Sequence, residues 1–220
     1  MHPIAENLNK VKETLAPNVT LVAVSKTKTI PELMEAYNAG QRVFGENKIQ
    51  EMVEKHGQMP EDVEWHMIGH VQNNKVKYMA PFVSLIHGVD SLKLLKEINK
   101  QAVRNERTID CLLQIKIAKE ESKFGMDAQV AETLLTSDDI KELKNVRILG
   151  LMGMATFTQD KEQLASEFTY LNTFFQHLRQ HHPELTVLSM GMSGDYPLAI
   201  AHGSTMVRVG SAIFGARNYG

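Results

Sequence analysis

Short runs of apolar and β-branched residues alternate with longer segments of helical periodicity along this chain, and this alternation constrains its fold most strongly. The predicted strands cover residues 19–25, 42–44, 64–68, 82–87, 110–116, 146–152, 185–190 and 205–209. Because helical patterns separate nearly all of them, the strands are expected to be parallel and joined by crossover connections. Eight such units in 220 residues predict an α/β protein, a single (β/α)8 barrel of the TIM type with residues 1–220 as one domain. An open doubly wound sheet is the alternative.

The helices are predicted from apolar residues that recur at the spacing of one helical face. Leu164, Phe168 and Leu171 lie on one such stripe. Ser91 is a good N-cap residue for another helix, and Pro31 suits the first turn of a third. A helix before the first strand is predicted from Ile4, Leu8, Val11 and Leu15. In a barrel of this kind, the functional side chains are expected at the C-terminal ends of the strands.

The composition argues against several classes of protein. Lys plus Arg number 24 and Asp plus Glu number 26, so the net charge of −2 argues against binding nucleic acid by neutralising its phosphates. No run approaches the roughly 20 apolar residues that cross a bilayer, and the charged N-terminal segment does not resemble a secretion signal. Cys111 is the single cysteine, which excludes an internal disulfide and suits a reducing compartment. We therefore expect a cytoplasmic protein that binds neither nucleic acid nor membrane.

Lys26 follows the first predicted strand and is the first candidate for chemistry. The alternation of side chains along a strand places Val22, Val24 and Lys26 on one face. If that face lines the barrel, Lys26 stands at its mouth, where partial desolvation favours the free amine that attacks an aldehyde. The alternative is a lysine that extends into solvent where the strand ends.

Two glycine-containing turns follow the seventh and eighth predicted strands. The first turn contains Ser193, and a helix is expected to begin at Asp195. The second turn places Gly210 and Ser211 at the start of a short helix. Backbone amides in such turns bind anions, and barrels commonly bind phosphate in the loops after strands seven and eight. The two turns together therefore predict a phosphate site.

Arg208 lies within the apolar eighth strand, where a guanidinium is costly to bury without a partner. One interpretation is an ion pair with Asp195, Glu46 or another acid. In a closed barrel the first and eighth strands are neighbours, so Lys26, Arg208 and the phosphate loops would share one mouth. An amine, a phosphate site and a fixed donor between them fit pyridoxal 5′-phosphate (PLP). A sugar-phosphate aldolase would also use a lysine and a phosphate site, but it gives the arginine no task.

Seven segments carry a resemblance to a known family. They are AVSKTK (23–28), FGENKIQE (44–51), WHMIGHVQNNK (65–75), SKFGM (122–126), GLM (150–152), SMGMSGDY (189–196) and GSTMVRVGSAIFG (203–215). With these segments in this order, the chain is similar over essentially its whole length to the pyridoxal phosphate homeostasis protein family. The fold of that family resembles the N-terminal barrel of alanine racemase.

The resemblance implies a role for each of seven residues. It implies that Lys26 holds PLP as an internal aldimine and that Arg208 contacts the pyridine nitrogen. It further implies that the phosphate lies on Ser193, Gly210 and Ser211. Asn47 and His66 match positions beside the cofactor ring.

The expected arginine contact limits the chemistry of the site. Arginine keeps its proton, so it donates to a neutral pyridine nitrogen, which leaves the ring a poorer electron sink than a protonated one. Alanine racemase also needs a second base, supplied by a tyrosine from another domain, and this chain stops at Gly220. The leading hypothesis is therefore a PLP carrier and buffer that delivers cofactor to apo-enzymes and catalyses little. The alternative is a small amino-acid racemase that uses His66 or a neighbouring tyrosine as the second base.

Two histidines with metal-ligand spacing receive a structural interpretation. His177 and His181 are separated by one helical turn, at the end of a predicted surface helix. Zinc would need further ligands, and the single cysteine, Cys111, lies in a predicted strand. We therefore expect no metal site.

Overall fold

Eight parallel strands close into a barrel in the computed structural model of the chain, which describes residues 3–119 and 124–215. Each strand pairs with the next one along the chain, and the last pairs with the first. The strands are β1 (Thr20–Val24), β2 (Val43–Glu46), β3 (Glu64–Met67), β4 (Leu85–Val89), β5 (Ile109–Ile115), β6 (Val146–Gly153), β7 (Val187–Met192) and β8 (Met206–Val209). This closed order confirms the predicted (β/α)8 barrel over the open sheet.

Helices surround the barrel. They are α1 (Pro3–Glu13), α2 (Ile30–Asn38), α3 (Ile49–His56), α4 (Val76–Met79), α5 (Leu92–Arg104), α6 (Ala128–Thr136), α7 (Asp138–Lys141), α8 (Lys161–Arg179), α9 (Tyr196–Ala201) and α10 (Ser211–Phe214). A single 3₁₀ turn at Asn73–Lys75 precedes α4. Within residues 3–119 and 124–215, no helix is long and apolar enough to span a membrane.

The local signals of the sequence place these helices well. Ser91 caps α5 by accepting a hydrogen bond from the backbone N–H of Leu94. Thr29 forms a capping box with Glu32 at the start of α2, and Pro31 lies in its first turn. On α8, the predicted apolar stripe is buried against the sheet. At α2 and α5, the capping residues therefore also mark where the preceding loop ends.

Several strand boundaries differ from the prediction by one to three residues, among them the start of β4 and the end of β7. β4 begins at Leu85 rather than at residue 82, because the N–H groups of Phe82 and Val83 donate to the carbonyl of Met79 and complete the turn after α4. β7 continues to Met192 rather than ending at residue 190. Gly191 lies within this strand with a φ of 97°, a conformation that glycine adopts without strain. The turn of the seventh loop therefore begins only at Ser193.

Two sets of side chains point into the barrel. The apolar interior set consists of Val22, Leu85, Leu112, Met152 and Met206, which pack against each other. The polar interior set consists of His66, His87, Ser189 and Arg208, all buried. On β4 and β8, the polar residue lies one inward position closer to the C-terminal end than the apolar one. The polar set is thus displaced toward the end of the barrel where the loops gather.

Candidate functional site

A cavity of about 590 Å³ opens at the C-terminal ends of the strands, within the size range of small-molecule sites. Part of its wall is apolar, with Val24, Ile68 and Met154 among the lining residues. Six of the seven residues that the resemblance implied line this cavity: Lys26, Asn47, Ser193, Arg208, Gly210 and Ser211. The barrel therefore brings residues from both ends of the chain to one place.

Lys26 lies in the tight turn that follows β1. The N–H of Lys28 donates to the carbonyl of Ser25 at 3.0 Å and closes this turn. Val22 belongs to the apolar interior set and Val24 lines the cavity, so this face of β1 points inward, as predicted. Lys26 is half-buried at the cavity wall. A lysine at this position can present its amine to a ligand in the cavity.

The loops after β7 and β8 meet at the hydroxyl of Ser193. This oxygen accepts hydrogen bonds from the N–H of Gly210 at 3.0 Å and from the N–H of Ala212 at 3.4 Å. Because both contacts use the oxygen as an acceptor, the hydroxyl hydrogen remains available to donate to an anion. Ser211, at the first position of α10, is exposed on the same wall. The geometry fits the predicted phosphate end of a ligand.

Arg208 lies at the cavity with one edge of its guanidinium anchored in the barrel. Nη1 donates to the carbonyl of Ser189 at 3.0 Å and to its hydroxyl at 2.6 Å, and Nη2 donates to the carbonyl of Gly153 at 2.9 Å. Among the hydrogen bonds of the described residues, one Nη2 hydrogen and the Nε hydrogen are not used. Since Arg208 also lines the cavity, these donors fit an acceptor such as a pyridine nitrogen.

The environment of Arg208 departs from the ion-pair interpretation. Its acceptors in the described part of the chain are carbonyls and a hydroxyl, and Glu46 pairs with Lys55 instead. Burial lowers the pKa of Arg208 to about 10, with the negative charge of Asp195 acting in the opposite direction. The guanidinium is therefore protonated at neutral pH and is a fixed donor rather than a proton source.

A network of hydrogen bonds links Arg208 to two histidines. The hydroxyl of Ser189 lies 3.0 Å from Nδ1 of His87, and Nε2 of His87 lies 3.1 Å from Nδ1 of His66. Because the guanidinium can only donate, the hydroxyl of Ser189 accepts from it and is at the same time the hydrogen-bond partner of His87. One buried network therefore joins the guanidinium to both imidazoles.

His66 and His87, the two histidines of this network, are held neutral. Burial lowers the pKa of His66 to about 3. The pKa of His87 is also well below its usual range, because of burial first and then the electrostatic effects of His66 and Arg208 on its protonated form. At neutral pH the polar interior set therefore carries one charge, that of Arg208.

His66 and Asn47 take different places in the site. Asn47 lines the cavity, and its backbone touches Gly69 so closely that a side chain at residue 69 would overlap it. His66 is buried and contacts His87, and it does not belong to the cavity lining. The imidazole on the described wall is that of His70, which stacks on Phe124 with ring centroids 4.2 Å apart and lies 3.4 Å from the Asp90 carboxylate.

Sequence reasoning missed three residues of the site. Ser189 and His87 share the inward face of their strands with Val187 and Leu85, and Gln114 lies two residues beyond Leu112. Strand alternation would have found them, because each is a polar residue at an inward position of an apolar strand. Of the segment SKFGM, Ser122 and Lys123 lie outside the described residues.

His177, one of the two histidines with metal-ligand spacing, pairs with a carboxylate. Nε2 of His177 lies 2.9 Å from a carboxylate oxygen of Glu132, at the exposed surface between α6 and α8. In the described residues, no group of three or more His, Cys, Asp or Glu side chains is arranged to hold a metal ion.

Known proteins resemble this chain in sequence and in structure. Residues 1–218 match the family described as alanine racemase, N-terminal domain. The pyridoxal phosphate homeostasis protein of Vibrio alginolyticus is 41% identical over 207 residues, which cover 92% of this chain and 88% of that relative. PipY of Synechococcus elongatus PCC7942, solved with PLP bound, is 37% identical with a TM-score of 0.88, covering 96% of this chain and all of its own.

A more distant likeness extends to alanine racemase itself. The enzyme of Clostridium difficile 630, in complex with cycloserine, has a TM-score of 0.79 and 12% identity, covering 98% of this chain and 60% of the enzyme. At that identity the likeness establishes a shared barrel and no shared activity. The full-length match and the near relatives show that this chain belongs to the pyridoxal phosphate homeostasis protein family, on the barrel of the alanine racemase N-terminal domain.

Proposed function

We propose that this protein binds PLP reversibly in the cavity, holds it through Lys26, and acts in cytoplasmic PLP homeostasis with little or no catalysis. The observation that carries the proposal is the meeting of Lys26, Arg208 and the Ser193 hydroxyl at one cavity. The relatives named for PLP homeostasis and the PLP-bound PipY structure support it. Buffering of the free aldehyde and delivery to apo-enzymes both need such a site.

The residues present fit each part of the cofactor. PLP, when bound, supplies an aldehyde that condenses with an amine with release of one water, and a conjugated ring that can accept electrons. Lys26 supplies the amine, and the unused guanidinium hydrogens of Arg208 fit the ring nitrogen. The Ser193 hydroxyl, with Gly210 and Ser211 beside it, fits the phosphate. Asn47 also lines the cavity wall and would orient the ring.

The arrangement favours holding the cofactor over using it for catalysis. Arg208 stays protonated and donates, so the ring nitrogen stays neutral and the ring draws electrons weakly. His66 is a poor second base, because burial lowers its pKa to about 3 and its Nδ1 is already hydrogen-bonded to His87. The described cavity wall contains no tyrosine. The imidazole on this described wall is that of His70, which makes it the first candidate to test for the second base of a racemase.

The test of binding is reconstitution with PLP followed by borohydride reduction and peptide mapping. We expect a visible absorption band and a reduced pyridoxyl group on Lys26. In Lys26→Ala both should fall below detection, with a free energy of unfolding within about 0.5 kcal/mol of wild type because Lys26 is half-exposed. Lys48→Ala, an exposed lysine outside the cavity lining, is the control and should keep the Lys26 adduct. A chain that takes up no PLP would contradict the proposal.

The test of catalysis is exchange of the α-hydrogen of alanine or serine in deuterium oxide. We expect no sustained incorporation by the PLP-loaded protein. Incorporation that disappears in Lys26→Ala would overturn the non-catalytic part of the proposal. If it also disappears in His70→Gln, the racemase alternative would gain its second base.

A further inference from the structure

A buried group of charged residues lies directly behind the turn that carries Lys26. The Glu46–Lys55 cluster consists of Glu46 at the end of β2 with Glu51 and Lys55 one turn apart on α3. The ammonium of Lys55 lies 2.7 Å from a carboxylate oxygen of Glu46 and 2.7 Å from one of Glu51. Glu46 is fully buried, and the Lys55 side chain is 8% exposed. Burying the Glu46–Lys55 pair is costly, so the position of the cluster calls for a reason beyond stability.

The cluster bonds to the backbone on both sides of Lys26. Before it, the ammonium of Lys55 donates to the carbonyl of Ser25 at 2.7 Å, and the hydroxyl of Ser25 donates to Glu46 at 2.6 Å. After it, the N–H of Thr27 donates to the carboxylate of Glu51 at 2.5 Å. All three ammonium hydrogens of Lys55 are used by Ser25, Glu46 and Glu51. Lys26 is thus held between two fixed residues while its own side chain lines the cavity.

The turn itself has a conformation that its sequence does not favour. The hydrogen bond from Lys28 to Ser25 makes Lys26 and Thr27 the two central residues of the turn. Thr27 has a φ of 65°, a left-handed conformation that is rare for a β-branched residue and that glycine usually supplies at this position. The hydrogen bond that the N–H of Thr27 donates to Glu51 stabilises this turn against the conformational preference of threonine.

We propose that Glu46, Glu51 and Lys55 are positioning residues that hold the Lys26 turn in the one conformation that presents its amine to PLP. The inference rests on the proposed function, and it adds residues outside the cavity to the binding of the cofactor. Preorganisation explains why a buried charge cluster is kept here, because a turn fixed in advance loses no further freedom when the ligand binds. Among the described residues, Oε2 of Glu46 has no hydrogen-bond partner, which fits a cluster arranged around the turn and not for its own stability.

Glu51 offers the cleanest test, because its side chain is 22% exposed and its loss leaves Lys55 with two partners. Glu51→Ala removes the acceptor of the Thr27 N–H, whereas Glu51→Gln keeps a carbonyl oxygen there. In the protein without PLP, we expect amide exchange in residues 22–30 to rise roughly tenfold in Glu51→Ala, as for the loss of one charged hydrogen bond. The rate of PLP capture, followed by absorption, should fall by a similar factor, and Glu51→Gln should restore most of both.

Thr27→Gly provides a second variant with a distinct expectation. Glycine adopts the left-handed conformation without strain, so the turn should depend less on Glu51. We expect the effect of Glu51→Ala on PLP capture to shrink from roughly tenfold to below about threefold in the Thr27→Gly background, a coupling that a double-mutant cycle measures. A purely structural role for Glu51 would leave the effect the same in both backgrounds.

The outcomes separate this inference from the proposed function. Faster exchange and slower capture in Glu51→Ala, with rescue by Glu51→Gln, support the positioning role. Equal capture rates in wild type and Glu51→Ala would overturn the inference alone. A wild-type chain that takes up no PLP would overturn the proposed function and remove the cofactor role of the cluster with it.

Discussion

Two sets of side chains fill the barrel interior, and they differ in what their burial costs. The apolar interior set gains free energy from leaving water and from close packing. The polar interior set loses hydration. Burial lowers the pKa of His66, His87 and Arg208, which favours their uncharged forms. The hydrogen bonds of this polar set offset the desolvation cost, but they add little net free energy of folding. The comparison suggests that the apolar set stabilises the barrel and that the polar set is kept for the ligand.

The first test of this comparison is a substitution that leaves a cavity in the apolar interior set. Leu112→Ala removes a fully buried side chain and should lower the free energy of unfolding by about 2–5 kcal/mol. Because Leu112 does not line the cavity, the Kd for PLP should stay within about threefold of wild type. Chemical denaturation and a PLP titration measure the two quantities. Leu112→Met, which conserves volume, is the control, and a large rise in Kd for Leu112→Ala would show that the two sets are not independent.

The matching change in the polar set is Arg208→Met. Loss of a charged hydrogen bond to the cofactor should weaken PLP binding by about 1.5–3 kcal/mol, roughly ten- to hundredfold in Kd. The free energy of unfolding should change less than in Leu112→Ala, because removing a buried cation offsets the lost bonds to Ser189 and Gly153. A PLP titration beside a urea denaturation series tests this. Destabilisation as large as that of Leu112→Ala would mean that Arg208 serves the fold first.

The apolar interior and the elements that build it were easier to predict from the sequence than the contacts of the polar interior set. Strands and helices follow from local periodicity, so the barrel and the capped helices could be inferred directly. Lys26 and Arg208 were recognisable because a charged residue is conspicuous in or beside an apolar strand. The boundary of β4 was not, because it depends on where the turn after α4 ends.

The network that joins Arg208 through Ser189 to the histidines was hidden for a different reason. Ser189 and His87 are 102 residues apart, and only closure of the barrel brings them into contact. A serine or a neutral histidine in a strand gives no local signal of such a partner. The Glu46–Lys55 cluster was likewise invisible, since its link to Ser25 depends on how α3 packs behind β1 and β2.

Ser189→Ala sharpens the comparison within the polar set. It removes the hydroxyl that joins Arg208 to His87, leaving Arg208 the carbonyl of the same residue. We expect a loss of about 1–2 kcal/mol in the free energy of unfolding and a rise in the Kd for PLP of roughly three- to tenfold. Ser204→Ala is the matched control: Ser204 is buried and bonds to the carbonyls of Leu188, Met190 and Met206. It should lower stability without changing Kd, and equal Kd values for the two variants would contradict the role given to Ser189.

The smallest expected effect is a pH dependence carried by His66. Its pKa is about 3 in the folded protein, where burial disfavours the imidazolium, and close to about 6.5 in the unfolded chain. Between these values the unfolded chain binds more protons, so stability is full above the unfolded pKa and falls as the pH drops toward 3. From about pH 7.5 to about pH 5.5, His66 alone should cost about 1.4 kcal/mol in the free energy of unfolding.

Urea denaturation of wild type and His66→Gln at those two pH values isolates this contribution. The non-titrating side chain should remove about 1.4 kcal/mol of the pH-dependent loss, even if it lowers stability at both pH values. Glu46 works against the loss, because burial raises its pKa and the folded state then binds protons more readily as the pH falls. That contribution is common to both proteins and cancels in the difference. An identical pH dependence in the two proteins would mean that burial does not lower the pKa of His66, and the buried imidazole would then not be held neutral.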